Sequence, residues 1–201
     1  RRGFRPGRPS ISALCAPARA ELSKVEQQEI KSGRTSLSET KKNQTSWENS
    51  YLLEYDHYAE EEKELPEDKA DPTFSITYYQ YNGPAQPFTV KSDINHKRQL
   101  EFLESYIEKV YFIVYSALYE DKYYTFDPTY TKLILQQQST PIETISKVID
   151  IQSLVDTYVL YELVCNPDAY WSSFYIGLDM TVRGDKRLIF ESPWDFDSSF
   201  G

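Results

Sequence analysis

Three side chains near the end of this 201-residue chain have types and spacings that suit metal and phosphate chemistry. Asp168 and Ser173 lie five residues apart, and the segment SSFYIGLD begins beside Ser173. Asp195 follows the segment RLIFE. The aromatic and branched residues of both segments are typical of strands, and RGDK between them predicts a turn. A hairpin brings its two ends together, so Asp168, Ser173 and Asp195 are predicted to converge at one edge.

This arrangement matches the needs of phosphoryl transfer from ATP. The reaction requires a positioned divalent cation and a group that orients the attacking hydroxyl. Magnesium prefers one or two carboxylates together with phosphate oxygens and water. Protein kinases place a catalytic Asp, an amide five residues later, a hairpin, and then a metal-binding Asp followed by Phe. Asp168, Ser173 and Asp195 occupy these three places in order, and Phe196 follows Asp195.

Each of these residues also has a simpler interpretation. Asp168 could stabilise a turn after Pro167, and Ser173 could be an ordinary strand hydroxyl. Asp197 could cap a following helix through its carboxylate. A third class of protein, a metal-dependent hydrolase, would use Asp168, Asp195 and Asp197 as a carboxylate cluster that holds an activated water. The spacing leaves these alternatives open.

The composition limits the classes of partner. The net charge of −9 argues against a nucleic-acid binder, which needs a basic face to neutralise phosphates. No apolar run approaches the length that spans a membrane. Residues 1–20 carry five Arg and no acid, so we set them aside as a disordered or fragment edge. Residues 21–201 are predicted to form one partial domain, whose hydrophobic content of 40% is ample for a core.

Strands are predicted before the middle of the chain. Residues 47–58 have the aromatic and branched content of a strand. Residues 74–81 and 87–91 read as a hairpin, because Asn82-Gly83-Pro84 between them is a turn signal. The acidic run at 60–68 is predicted to be a solvated loop.

Two long helices are predicted from apolar residues at helical spacing. The first covers 96–119, with Asn95 or Asp93 as its cap. The second starts at Asp150 as its cap and ends before Asn166-Pro167, because a residue preceding proline is pushed out of the helical region. Its wide apolar stripe predicts a buried helix. His57 and His96 have no partner pattern and are expected at the surface.

Several of these segments resemble the CotH kinase family, which are atypical kinases of the spore-coat-protein-H type. The matching stretches are VIDIQSLVDTYVLYELVCNPDAYWSSFYI and LIFESPWDFDSSFG, with SYLLEYDHY and PFTVKSD upstream and VEQQEIKSGR more weakly. The resemblance covers about residues 47–201. It implies an α+β, protein-kinase-like fold with antiparallel hairpins and a mainly helical C-terminal lobe. The N-terminal lobe would be largely missing.

The resemblance implies a role for each residue of the predicted site. Asp168 would be the catalytic aspartate that orients the acceptor hydroxyl. Asp195 would bind the metal that bridges the ATP phosphates, and Asp197 would add a second ligand or hold Asp195 in place. Ser173 stands where ordinary kinases have Asn, and its hydroxyl could still ligate the metal.

Four further residues would support this site by the same resemblance. Asn166 would orient the loop that carries Asp168. Trp194 and Phe196 would be wall residues that fix the acids and exclude water. Lys91 could reach a phosphate, although a single strand lysine is more often a solvated side chain.

The implied activity is metal-dependent transfer of phosphate from ATP to Ser or Thr of a protein, with Mg²⁺ or Mn²⁺ as the ion. By resemblance, the acceptor would be a coat or surface protein, and the location a spore coat, the cell surface or the secreted space. The family residues that grip ATP from the N-terminal lobe are not recognisable, so we expect this chain to be weak or inactive by itself. The alternative is a non-enzymatic cell-surface or invasin-like binding protein, which the 17 tyrosines would suit.

Overall fold

A computed structural model describes residues 47–59, 72–78, 80, 82–167, 171–190, 192–196 and 199. The predicted N-terminal edge and the acidic segment at 60–68 lie outside these residues. So do Asp168 and Asp197. The fold and site below are therefore built from the described residues.

Ten helices and strands follow one another along this part of the chain. In order they are β1 (Ser50–Tyr55), β2 (Thr73–Ile76), β3 (Gln86–Val90), α1 (Lys97–Tyr119), β4 (Tyr123–Phe126), β5 (Leu133–Gln136), α2 (Pro141–Ile145), α3 (Ile151–Val164), β6 (Phe174–Asp179) and β7 (Leu188–Phe190). Five strands form one sheet in the order β2-β3-β1-β6-β7, with antiparallel pairing throughout. The strands β4 and β5 form a separate antiparallel pair.

The hairpins predicted from the sequence are confirmed with narrower bounds. β2 pairs with β3 across the Asn82-Gly83-Pro84 turn, and β6 pairs with β7. The strand predicted at 47–58 is confined to β1. In the turn after β6 the backbone passes so close to Asp179 that a Cβ on Gly184 would lie 2.2 Å from the Asp179 carbonyl oxygen. Only glycine fits there without a local shift.

The central pairing of the sheet joins β1 to β6 along six residues. It runs from Ser50 opposite Asp179 to Tyr55 opposite Phe174. Because β6 comes from the C-terminal part of the chain, strands from both halves share one sheet. All three described helices lie after residue 96, in line with the predicted mainly helical C-terminal part, but among the described residues this part is not a separate lobe, because β6 and β7 belong to the sheet of β1.

Helix α1 covers one face of the sheet and forms the core with it. Apolar side chains at helical spacing face the sheet, which explains why this segment is a helix with one buried side. The buried residues of the two elements include Leu103, Tyr106, Ile107, Val110 and Ile113 from α1, and Tyr51, Leu53, Phe88, Val90, Ile176 and Leu178 from the sheet.

The cap of α1 differs from the prediction. It is His96, and not Asn95 or Asp93. The His96 ring accepts a hydrogen bond from the Arg98 N–H at 3.1 Å, and the Gln99 side chain accepts one from the His96 N–H at 3.1 Å. Gln99 thus closes a capping box, which sets the start of the helix one residue later than Asn95 would.

Helix α3 is only partly buried, so the prediction of a buried helix is wrong. Its cap and end are as predicted: Asp150 accepts from the Ser153 N–H at 2.9 Å, and Cys165 ends the helix with a left-handed φ of 50°. Tyr161 and Val164 are buried, whereas Leu163 is 75% exposed. The helix packs on the sheet through one side only. Because its apolar residues lie on all sides of the helix, the sheet leaves some of them exposed.

The described residues thus form an α+β structure with antiparallel sheets and three helices. None of these helices is both long enough and apolar enough to cross a membrane.

Candidate functional site

The sheet surface opposite α1 carries a group of polar side chains, which we call the polar face. Strand residues alternate between the two faces, so Glu54 and Asp56 share one face while Tyr55 points to the other. Glu54 lies opposite Thr89 on β3 and opposite Tyr175 on β6. The polar face comprises Glu54, Asp56, Thr89, Lys91 and Tyr175.

Two acids of the polar face are deeply buried, and each makes specific polar contacts. Glu54 is 6% exposed and forms an ion pair of 2.6 Å with the Lys91 ammonium. Asp56 is 2% exposed and accepts from the Thr89 hydroxyl at 3.0 Å and from the Tyr58 N–H at 2.9 Å. Burial of a carboxylate is costly unless compensating contacts are made. Glu54 has an ion pair, and Asp56 has two hydrogen bonds.

The start of β6 connects the polar face to Asp195. The Ser173 N–H donates to the Glu54 carboxylate at 2.9 Å. The Ser173 hydroxyl donates to the Asp195 carboxylate at 3.3 Å. Lys91, Glu54, Ser173 and Asp195 therefore form one continuous series of contacts, although they lie far apart in sequence.

Two residues, one in α3 and one just after it, contact the segments that carry Ser173 and Asp195. The Asn166 side chain is buried and donates to the Asp195 backbone carbonyl at 3.1 Å. The Tyr161 hydroxyl donates to the Ser173 carbonyl at 3.5 Å, and its ring lies 5.5 Å from the ring of Phe196. These contacts fix the segment that carries Asp195 against the end of α3.

Two residues where these segments meet have a left-handed backbone conformation. Ser173 has a φ of 59° and Asp195 has a φ of 58°, in the left-handed region that L-residues other than Asn and Asp seldom adopt. Such conformations persist only when the surroundings hold them, and they cluster at functional sites. Here Glu54, Asn166 and Tyr161 supply the contacts that hold them.

The environment also changes the acidity of two tyrosines. Burial, followed by the charge of Glu54, raises the pKa of Tyr175 to about 12. Burial likewise raises the pKa of Tyr161, and the charge of Asp195 adds to it. The raised pKa of each phenol reports its burial and the negative charge of the neighbouring carboxylate.

The oxygen donors at Asp195 fit a hard divalent cation. The Asp195 carboxylate is exposed, and the Ser173 hydroxyl lies 3.3 Å from it. Magnesium binds protein through one or two carboxylates and keeps several waters, and Asp195 with Ser173 could supply one carboxylate and one hydroxyl oxygen to such an ion. Within the described ranges no three His, Cys, Asp or Glu side chains converge, but Asp168 and Asp197 lie outside those ranges.

The structure brings together most of the predicted residues that it describes. Ser173 and Asp195 meet as expected, and Asn166 contacts Asp195. Lys91 is ion-paired with Glu54, which differs from a freely solvated strand lysine.

The predicted wall around the acids is incomplete. Trp194 is 54% exposed, so it does not exclude water from Asp195, which is itself exposed. Phe196 packs against Tyr161 instead. The segment contacts α3 through Phe196, and its neighbours Trp194 and Asp195 face solvent.

Sequence reasoning missed Glu54, Tyr175 and Tyr161. Glu54 does have a sequence signal, because it interrupts the apolar residues of SYLLEY in a strand that is otherwise expected to be buried. The expectation that His57 is a surface residue without partners is wrong. Its ring stacks on Trp171 at 4.3 Å, and its Nε2 lies 2.9 Å from the Tyr55 hydroxyl.

The chain matches no known family model, and neither a curated protein nor a solved structure is significantly similar to it. The resemblance to the CotH kinase family therefore stays a prediction that rests on the quoted residues.

Proposed function

We propose that this chain carries the site of a metal-dependent phosphotransferase that moves the terminal phosphate of ATP to Ser or Thr of a protein. The observation that carries the proposal is the series of contacts from Lys91 through Glu54 and Ser173 to Asp195. These contacts support the proposal because Lys91 would act as the cation for phosphate, and Asp195 with Ser173 would act as the oxygen pair for a metal, within one connected network. Phosphoryl transfer depends almost entirely on such positioning and on charge stabilisation.

The ion pair of buried Glu54 with exposed Lys91 supports a functional role. A partly exposed ion pair adds little to stability, so stability alone gives little reason to keep it. In protein kinases a lysine that contacts phosphates is held by a glutamate in the same way. Glu54 would hold the Lys91 ammonium at the edge of the polar face, where a phosphate can approach it.

Each described residue has a definite task in this proposal. Asp195 and Ser173 would hold a Mg²⁺ or Mn²⁺ ion, which neutralises charge on the ATP phosphates when bound. Lys91 would bind a phosphate oxygen, and Glu54 and Asn166 would position the other three residues. Asp168 would orient the acceptor hydroxyl, as its place in the sequence predicts.

The acceptor and the location follow from the resemblance only. We propose a Ser- or Thr-containing coat or surface protein as acceptor, and a spore coat, the cell surface or the secreted space as location. The alternative, a surface-binding protein without catalysis, has one observation in its favour. The outer side of α3 exposes Val155, Val159 and Leu163 in a row, and such apolar rows can form contact surfaces.

Calorimetric titration with ATP, with and without Mg²⁺ or Mn²⁺, tests the proposal. We expect metal-dependent binding to the chain. Asp195→Ala should weaken that binding by at least about tenfold, or 1.4 kcal/mol, because the ion loses its carboxylate. Asp93→Ala is the matched control, since Asp93 is an exposed loop acid and its removal changes the net charge equally.

The possible results separate the classes of protein. Equal weakening by Asp93→Ala and Asp195→Ala would reduce the effect to net charge and contradict the site. Metal binding that ATP leaves unchanged would favour the hydrolase. Absence of any metal-dependent ATP binding would count against the phosphotransferase and favour the surface-binding protein.

A further inference from the structure

A cleft of about 360 Å³ lies between the sheet and α1, on the opposite side of the sheet from Glu54 and Lys91. Tyr55 lines it, and Tyr55 and Glu54 are neighbours in β1 that point to opposite faces. Six of the twelve described lining residues are aromatic, and none of the twelve carries a charge. The cleft is therefore chemically distinct from the polar face.

The cleft has a closed floor and an open mouth. Phe88, Val110 and Ile176 line it and are buried, so they form the floor. Tyr111 and Val114 of α1 line it and are partly exposed, so they mark the mouth. A ligand can therefore enter from solvent without opening the core.

The walls of the cleft favour an apolar occupant, because covering apolar surface that faces water is favourable. Among the described lining residues, the only side-chain polar groups are tyrosine hydroxyls. One of them, on Tyr55, already contacts Gln86 and His57. The cleft thus favours an apolar occupant.

The arrangement of the rings favours an aromatic occupant over an aliphatic one. At the mouth the rings of Tyr78 and Tyr111 are stacked at 4.3 Å, and the rings of Phe174 and Phe190 are inclined at 5.7 Å. Aromatic rings therefore make up much of the described wall. Aromatic pairs prefer offset or edge-to-face contacts at such distances, so a planar ring system can meet several walls at once.

We propose that this cleft binds an uncharged aromatic ring system. Its volume lies within the range of small-molecule sites, which are mostly apolar and largely pre-formed. The ring system is either a free aromatic molecule or the base of a nucleotide, and both have the same recognition chemistry. The inference does not depend on the proposed phosphotransferase activity, because its walls exclude Asp195 and Lys91.

The uncharged dye N-phenyl-1-naphthylamine tests the proposal through its fluorescence on titration into the full chain. We expect saturable binding of one dye per chain. Val114→Trp fills the mouth and should weaken binding by about tenfold or more. Leu118→Trp is the matched control, because Leu118 lies one turn further along α1, is 53% exposed and does not line the cleft. Thermal unfolding followed by circular dichroism verifies that both variants fold.

A second pair of variants keeps the test valid if Val114→Trp fails to fold. Tyr111→Ala removes an aromatic wall of the mouth, and Tyr119→Ala removes a tyrosine of the same helix that lies outside the cleft. Only Tyr111→Ala should weaken dye binding. The proposal would be overturned if each folded cleft variant bound the dye with the same affinity as its control variant, or if dye binding did not saturate.

Competition identifies the class and source of the ligand. Indole should displace the dye, and dodecanol at equal concentration should not. Displacement by dodecanol as strong as by indole would overturn the aromatic class. Displacement by adenosine would assign the cleft to the base of a nucleotide, and its absence would assign it to a free aromatic molecule. Asp195→Ala should leave dye binding unchanged, so a failed phosphotransferase test and a failed cleft test are distinguishable.

Discussion

Glu54 joins the two ends of the candidate site, because its carboxylate holds both the Lys91 ammonium and the Ser173 N–H. Neither contact could be read from the sequence. Lys91 lies at the end of β3 and Ser173 just before β6, and only the central position of β1 in the sheet brings them to the same side chain.

Tyr175 reports on the charge of Glu54 through its ionisation. We expect the folded chain to ionise Tyr175 near pH 12, against about 10 for the unfolded chain. Because the folded pKa is the higher one, this residue's contribution to stability is complete below pH 10 and is lost as the pH rises through about 12. Phenolate absorbance, taken as the difference between the wild type and Tyr175→Phe, measures the midpoint.

Glu54→Gln should lower the midpoint of Tyr175 ionisation, since it removes a negative charge beside the phenol. Asp93→Asn serves as control and should leave the midpoint where it is. A midpoint near 10 in the folded wild type, or one that Glu54→Gln leaves unchanged, would contradict this account of the polar face.

Ser173 tests whether a hydroxyl contributes to metal-dependent ATP binding. Ser173→Ala should weaken Mg²⁺–ATP binding by about 1 kcal/mol, or roughly fivefold, because an oxygen beside Asp195 is lost. Ser173→Asn should preserve most of the affinity, since Asn supplies an oxygen and tolerates the left-handed backbone at this position. Calorimetry measures both affinities.

The neighbouring hydroxyl provides the control for this comparison. Ser172→Ala removes the same group one residue earlier and should leave ATP affinity unchanged. If Ser173→Ala also left it unchanged, the Ser173 hydroxyl would be an ordinary strand hydroxyl.

At the scale of elements, Asp150 fixes both the start of α3 and its link to the hairpin. One carboxylate oxygen accepts from the Ser153 N–H, and the other lies 2.9 Å from the Arg187 guanidinium. Asp150→Ala should lower the free energy of unfolding by about 0.5–2 kcal/mol through loss of the cap.

Asp150→Asn separates the cap from the ion pair. Asn caps helices as well as Asp does. The variant should therefore lose only the partly exposed ion pair, which is worth less than about 1 kcal/mol. Urea unfolding measures both changes. Equal losses in Asp150→Ala and Asp150→Asn would assign the effect to the ion pair and contradict the capping role.

The elements that the sequence predicted correctly depend on local signals. The turn signal Asn82-Gly83-Pro84 lies in the connection between β2 and β3, and apolar spacing locates α1 and α3. The errors have non-local causes. The cap of α1 moved to His96 because Gln99 completes a reciprocal hydrogen bond with it.

Burial of α3 was misjudged because its composition does not say how many sides other elements will cover. The sequence predicted the meeting of Ser173 and Asp195, since a hairpin alone brings them together. It did not predict Glu54, whose role needs the order of strands in the sheet.

At the scale of the whole molecule, one sheet divides two environments. Its core face packs on α1 and borders the aromatic cleft, and its opposite face carries the charged network. Strand alternation produces this division, because neighbouring residues such as Glu54 and Tyr55 point to opposite sides. A substitution on one face should therefore leave ligand binding at the other face unchanged.

A double-mutant cycle on Mg²⁺–ATP affinity, between Lys91→Ala and Asp195→Ala, tests the central claim that these residues belong to one site. Because Glu54 and Ser173 connect them, the account predicts that the two effects are not additive, with a coupling of about 0.5–3 kcal/mol. Effects that add to within about 0.5 kcal/mol would contradict the claim, and so would a wild-type chain that does not bind ATP with Mg²⁺.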